Sequence, residues 1–339
     1  YTLARKTFPE PGKLEMEARE NTSTVELDDR YSLATGKAYM SGTQTLLRLL
    51  LEQARRDRAA GLTTAGFVSG YRGSPLGGFD LALWKAQKFL DEEKIHFQPG
   101  LNEDLAVTSV WGSQQTDIFG SKKYDGVFGM WYGKLPGLDR SGDAFKHAHI
   151  SGTSRYGGVL AVSGDDPAMS STSAPGQSEH TFASYMMPVI YPATLQEILT
   201  MGLKAYGLSR YSGNWIGFKT VSDIAETSAS VEVTSLPAFQ LPDNHGDMWE
   251  QVIGRWPDDR FSQDARVQEV RLPAVGAFAR INRFDEVMIN PPKARFGIVA
   301  AGKPYLDLRQ ALDDLGITDV VAAQIGLSVF KLGLIWPIE

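Results

Sequence analysis

The chain has 339 residues, is 42% hydrophobic and carries a net charge of −6 with acidic and basic residues interspersed, a size that can bury the core of one large domain plus a smaller unit. That charge pattern excludes the basic face that nucleic acid or an anionic membrane would require, and the apolar runs at 46–51 and 159–162 fall far short of the ~20 residues that span a bilayer. Cysteine is absent, which removes disulfides, thiolate nucleophiles and thiolate-held metal or iron–sulfur centres from these residues.

Residues 1–30, mixed polar with Pro9 and Pro11 and no basic start or apolar run, read as an N-terminal extension rather than a secretory leader. The first residue is Tyr rather than Met, so the true start is expected upstream. From Thr43, the leucines at 46, 47, 49, 50 and 51 predict an amphipathic helix, capped by Ser41 or Thr43 and stopped by Gly61. A short buried strand at 63–68 is predicted to run into a glycine-rich loop, followed by a helix at 79–91 and a strand at 95–98. Helices at 104–119, 139–149 and 194–208 then alternate with strands at 126–131, 157–162 and 214–221. Strands that are apolar runs rather than apolar–polar alternations indicate a parallel sheet covered on both faces. Right-handed crossovers make 31–235 a doubly wound, mainly parallel α/β domain.

The stretch 236–292, with Pro237, Pro242, Pro257 and Pro273 spaced through charged sequence, reads as an irregular linker. At 294–301 a new apolar strand precedes a helix at 305–315 and a second strand near 320–323, so 293–339 is the start of a second α/β domain. Such a domain needs more strands to close its core, and the polypeptide is expected to continue.

Three segments could carry chemistry. GYRGSPLGG, 70–78, follows a predicted strand, and its glycines permit a ligand to approach the backbone at the strand's carboxyl end. It reads equally as a tight strand-to-helix turn, and it is neither a GxGxxG fingerprint nor a GxxxxGK[ST] loop, so no dinucleotide or nucleoside triphosphate is indicated. In LNEDLAVTSVWGSQQ, 101–115, Asn102 can cap a helix whose first turn holds Glu103 and Asp104; taken alone this is a well-made helix start. GDDPAMSSTSAPGQSEH, 164–180, is a polar loop after a buried strand, either a binding loop or a solvated connection. Asp165 and Asp166 could ligate a metal, but no Asn follows before Asn214 to complete a diphosphate–magnesium motif, and Gly142-Asp143-Ala144 fails the same test. His147 and His149, two apart on a predicted helix, point to different faces and cannot share a metal, so no metal site is read here. The aromatic residues Trp111, Trp131, Tyr132 and Tyr185 either line an apolar pocket or fill the core.

In their order along the chain, SGTQTLLRLLLEQ, GYRGSPLGG, NEDLAVTSVWGSQQ, KHAH from Lys146, GGVLAVSGDDPAMSS, GQSEH and FGIVAAGKPYLDLRQALDDLGI make the chain from about Tyr31 onward resemble the 2-oxoacid:ferredoxin oxidoreductases. The likeness is to the long single-chain bacterial indolepyruvate type. It implies a thiamine-diphosphate pyrimidine-binding domain followed by the first part of a transketolase-C-terminal-like domain. Glu103 matches the glutamate that bonds N1′ of the cofactor's aminopyrimidine, with Gly70 and Tyr71 beside it. A carboxyl group there stabilises protonated N1′ and shifts the 4′-amino group toward the imine that takes the C2 proton. Ser74 matches a Thr or Ser near the substrate carboxylate. Arg72 stands where shorter relatives have Pro, and a guanidinium suits a carboxylate partner. Lys146, His147 and the loop 165–171, including Ser170 and Ser171, match patterned positions that line the substrate site or a subunit contact.

The resemblance further implies a cytoplasmic enzyme that oxidatively decarboxylates an arylpyruvate such as indolepyruvate to an acyl-CoA, using coenzyme A and passing electrons to ferredoxin. Mg2+ and [4Fe-4S] clusters are expected on other domains or subunits, the segment alone is expected to be inactive, and the complete enzyme to be a homodimer. A non-oxidative thiamine-diphosphate enzyme and a non-catalytic assembly module of the same fold are the competing readings.

Overall fold

The computed structural model describes residues 25–118, 122–234, 236, 238–243 and 258–339. Most of the N-terminal extension expected over 1–30 and part of the linker lie outside the described residues.

A short helix α1 (Asp29–Ser32) and strand β1 (Lys37–Ser41) lead into α2 (Gly42–Ala59). Ser41 and Gln44 close a reciprocal capping box, the Gln44 amide donating to Ser41 Oγ (3.3 Å) and the Ser41 amide to Gln44 Oε1 (2.9 Å). The leucine run buries α2 completely along its apolar side. Then come β2 (Thr64–Gly70), α3 (Phe79–Lys85), α4 (Gln87–Glu92), β3 (Ile95–Phe97), α5 (Glu103–Ser113) and β4 (Gly126–Lys134). The chain continues through α6 (Leu135–Arg140), α7 (Gly142–Ser151), β5 (Val159–Asp165), α8 (Ser178–Ser184), β6 (Val189–Ile190), α9 (Leu195–Ser212), β7 (Trp215–Val221), α10 (Ser222–Ala225) and β8 (Ser228–Glu232). The helix expected over 79–91 is broken at Ala86, and that expected over 139–149 is two helices joined at Ser141.

Six strands form a parallel sheet in the order β6-β7-β5-β4-β2-β3. Both faces are buried, as apolar runs require. Phe128, Met130 and Tyr132 of β4 pack with α2 and α9, while Trp131 packs with Phe145 of α7 and Val107 and Val110 of α5. β3 lies to one side of β2 and β4 to the other, so the direction of winding reverses there. In open α/β sheets the carboxyl ends of strands at such a reversal form the binding crevice. On the opposite helical layer, Arg210 of α9 grips Asp57 of α2 through two bonds of 2.6 and 2.7 Å, inside the core. β1 and β8 pair antiparallel beside this face.

The linker expected to be irregular is helical from Arg260 to Asn282. Asp259 caps a helix α11 (Arg260–Arg266), which passes through a π-helical turn (Val267–Arg271) into α12 (Leu272–Asn282). Pro273 falls in the first turn of α12, directly after the widened turn, where a missing N–H costs least. Buried Arg271 reaches back and donates to the carbonyls of His149 (2.9 Å) and Ile150 (3.0 Å), stitching the linker to the end of α7.

β9 (Glu286–Ile289), β10 (Phe296–Ala301), α13 (Gly302–Asp314), α14 (Asp319–Ile325) and β11 (Leu327–Leu332) build a small second sheet of order β10-β11-β9. Residues 320–323, expected as a strand, are helical. Thr318 caps them, Asp319 occupies the first turn and Gly326 closes the helix at φ 79°. The strand is β11, immediately after. β12 (Leu334–Trp336) then returns to the first sheet and pairs antiparallel with β6. Among the described residues no helix is long and apolar enough to cross a membrane.

Candidate functional site

The carboxyl ends of β2, β4 and β5 carry the three segments that the sequence singles out. Gly70, the last residue of β2, lies so close to β4 that a Cβ there would come within 2.2 Å of the Tyr132 carbonyl oxygen. The Tyr71 amide donates to that same carbonyl (3.1 Å), and the Gly100 amide donates to the Gly70 carbonyl (2.9 Å). These bonds lash the loop 70–78 and the loop before α5 to the end of β4. Pro75 and Leu76 are buried beneath, whereas Tyr71 and Arg72 are exposed and Ser74 is half-buried. Asp80 on α3 accepts a 2.5 Å bond from the Tyr132 hydroxyl; burial, reinforced by Asp80, pushes that hydroxyl's pKa far up. Trp131 and Tyr132 are therefore core residues.

Asn102 caps α5 by accepting from the Leu105 amide at 2.9 Å. This leaves Glu103 as the first helical residue, where the helix dipole favours negative charge. Its side chain is only 14% exposed. It is held against α6, where a Cβ on Gly137 would stand 2.4 Å from Glu103 Cγ and 2.6 Å from Oε1. Arg140 of α6 places Nη1 3.8 Å from Glu103 Oε2 and Nη2 4.0 Å from Asp104 Oδ2. Trp131 Nε1 donates to the Glu103 carbonyl at 3.3 Å.

At the end of β5, Asp165 is turned inward. It accepts from the Ser178 amide (2.9 Å) and hydroxyl (3.0 Å) and pairs with Lys219 at 3.1 Å; Lys219 also bonds Glu179. Burial raises the Asp165 pKa against the opposing pull of Lys219 and Ser178. Asp166 instead shapes the loop, accepting from the amides of Ser171 (2.7 Å) and Ser170 (3.1 Å), and these bonds hold its carboxyl below the usual range. Lys134, at the end of β4, donates to the Ser171 carbonyl (2.7 Å) and hydroxyl (2.9 Å).

Gly70, Tyr71, Arg72, Ser74, Glu103, Ser170 and Ser171 thus lie on one edge of the sheet. Lys146 and His147 do not join them. Both are exposed on the outer side of α7, where His147 stacks on Trp111 at 6.3 Å and sits 3.7 Å from Asp143, and Lys146 lies over the Tyr185 ring at 5.6 Å. Trp111 is eight residues along α5 from Glu103, roughly 12 Å at the helical rise. Lys134, Gly137 and Arg140 are additions that the sequence reading passed over. A lysine ending a strand with no other charge, GVFGMWYGK, was the available signal for the first.

A family model described as the indolepyruvate oxidoreductase domain matches residues 286–339. The indolepyruvate oxidoreductase subunit IorA of Methanothermobacter marburgensis is 23% identical over 315 residues, covering 92% of this chain and 45% of that protein. The subunit of the same name from Pyrococcus abyssi is 26% identical over 236 residues, 64% of this chain and 33% of that protein. The chain spans less than half the length of these curated relatives. Among solved structures, the 2-oxoglutarate:ferredoxin oxidoreductase of Magnetococcus marinus, with 2-oxoglutarate, coenzyme A and succinyl-CoA bound, shares the fold. Its TM-score is 0.63 at 14% identity, over 90% of this chain and 55% of that one.

Proposed function

We propose that this chain is a segment of a 2-oxoacid:ferredoxin oxidoreductase-family subunit and that it supplies the pyrimidine-activating half of a thiamine-diphosphate site. The complete enzyme oxidatively decarboxylates an arylpyruvate-class 2-oxoacid to an acyl-CoA and reduces ferredoxin. The observation that carries this reading is Glu103: a carboxylate at a capped helix start, mostly buried, at the carboxyl edge of a doubly wound sheet and beside the reversal in strand order.

These residues fit the cofactor's aminopyrimidine. The glycines at 70, 100 and 137 let the loops and α6 pack directly on the end of β4 and on Glu103, and Glu103 offers an acceptor for a protonated ring nitrogen. Thiamine diphosphate, when bound, supplies the carbon nucleophile and electron sink that decarboxylation of a 2-oxoacid needs. Glu103 holds the proton at N1′, Arg140 steadies the carboxylate from α6, and Gly70 and Tyr71 present backbone to the ring. Ser74, Arg72, Ser170 and Ser171 line the substrate end. Lys146 and His147, on the outer side of α7, suit a subunit contact in a homodimer. With no cysteine in the chain, the ligands of any [4Fe-4S] cluster belong to other domains or subunits, as does Mg2+ with the diphosphate. A cytoplasmic location accords with such a redox enzyme.

The test is isothermal titration of thiamine diphosphate with magnesium into the complete enzyme, wild type against Glu103→Gln, followed by arylpyruvate-dependent dye reduction on both. Both should bind, and the variant should lose reduction by about 10²- to 10⁴-fold. Wild type that neither binds nor reduces would leave the assembly module standing. Consumption of arylpyruvate without acceptor reduction would instead point to the non-oxidative enzyme.

A further inference from the structure

Lys134 is the one charged residue of β4, and every other residue of that strand except Val127 is buried. It stands at the carboxyl edge between two loops. On one side a Cβ at Gly73 would come 3.2 Å from Lys134 Cβ, so the loop carrying Arg72 and Ser74 packs directly on its stem. On the other, its ammonium donates to the carbonyl and hydroxyl of Ser171, in the loop that Asp166 orders. Three residues further on, Gly137 abuts the Glu103 side chain. An ammonium has three N–H donors; Ser171 takes two, and one remains. Lys134 also differs from Arg72 in its footing. Arg72 is exposed on a loop, whereas Lys134 is fixed by a central strand, and groups on strands are placed more accurately than groups on loops.

We propose that Lys134 binds the carboxylate of the 2-oxoacid, its remaining N–H donating to a carboxylate oxygen while Ser171 and the Gly73 loop hold the ammonium at the edge of β4. This rests on the function proposed above and names the residue that makes the site select an acid. A charge-assisted bond of this kind orients the substrate, so that its 2-oxo carbon lies toward the Glu103 side of the crevice.

The experiment compares wild type, Lys134→Gln and Lys134→Arg in the complete enzyme, measuring KM and kcat for an arylpyruvate and the affinity for thiamine diphosphate with magnesium. Lys134→Gln should raise KM about 10- to 100-fold with cofactor affinity unchanged, and Lys134→Arg should recover most of that loss. A second readout uses inhibitors of matched shape: an arylacetate should bind wild type more tightly than the corresponding arylacetamide, and Lys134→Gln should abolish the difference. An unchanged KM, a fall in cofactor affinity that parallels the rise in KM, or a preference for the acid that survives in Lys134→Gln would each overturn the assignment. Wild type that neither binds thiamine diphosphate nor consumes arylpyruvate would fail earlier, overturning the parent reading and the role of Lys134 with it.

Discussion

Replacing Gly137 with alanine should damage catalysis without damaging the fold. The added Cβ would stand 2.4 Å from Glu103 Cγ and 2.6 Å from Oε1, against roughly 3.5–4.0 Å for an ordinary carbon contact. The Glu103 carboxylate must therefore retreat by roughly 1 Å. The obstacle is a side chain with free torsions rather than backbone, so the retreat costs little stability. Gly137 lies inside α6 and is not among the positive-φ glycines, so alanine fits the local backbone, and its better helix propensity offsets up to ~1 kcal/mol. A displacement of about 1 Å in a positioned catalytic group can cost on the order of 100-fold in rate. Dye reduction by the complete enzyme should thus show kcat down by about two orders of magnitude, with the thermal midpoint within a few degrees of wild type. In the Glu103→Gln background the same change should add almost nothing, because it acts through that carboxylate. A kcat within about threefold of wild type would refute the claim that Gly137 sets Glu103, and so would a full additional loss in the double variant.

Two further outcomes test the scaffold. Arg210→Met strands the Asp57 carboxylate, 4% exposed, in the core with Thr64 and Gln53 as its side-chain donors among the described residues, and should cost about 3–5 kcal/mol in urea unfolding; Asp57→Leu with Arg210→Met should cost clearly less, and equal losses would contradict the buried-pair account. His149, whose pKa is driven to about 3 by burial and then by the adjacent Arg271, stays neutral in the fold while an unfolded histidine protonates near 6.5. The unfolded state then binds more protons between these values, so stability is present above pH ~6.5 and is lost as pH falls toward 3, at up to ~1.4 kcal/mol per unit and about 2 kcal/mol by pH 5. His149→Phe should flatten the unfolding free energy over that interval, and an unchanged slope would exclude His149 as its source.

The parallel sheet was legible because strands such as VLAVSGD and WIGFKTV are buried on both faces and open on consecutive apolar residues rather than an apolar–polar alternation. The capped start of α5 was legible because Asn102 and Glu103 are local signals. What escaped depends on distant partners. The linker helix α11–α12 was hidden by Pro273, whose position after a π-helical turn makes it harmless. Val320 and Val321 suggested a strand by their branching, but the Thr318 cap and Gly326 stop decide for helix. The return of β12 to β6 rests on three residues whose pairing lies far away in sequence. Arg140 carries no local signal in the sequence, and its distance to Glu103 is what distinguishes it.

The edge of the sheet divides into two corners on either side of β4. Toward β2 and α5, Glu103 packs on Gly137 and lies beside Arg140, with Gly70 tight against the end of β4; toward β5, Lys134 and Ser171 close on the loop ordered by Asp166. A central strand joins them, so the spacing of the Glu103 carboxylate and the Lys134 ammonium is set by β4 and the first turn of α6 rather than by loops. This arrangement separates two kinds of consequence. On the proposed roles, changes at Glu103 or Gly137 should act on the rate of the bound substrate, and changes at Lys134 on its capture. Lys146 and His147, a helix's length away on α7, belong to neither corner. Substitutions there should alter assembly before they alter either constant.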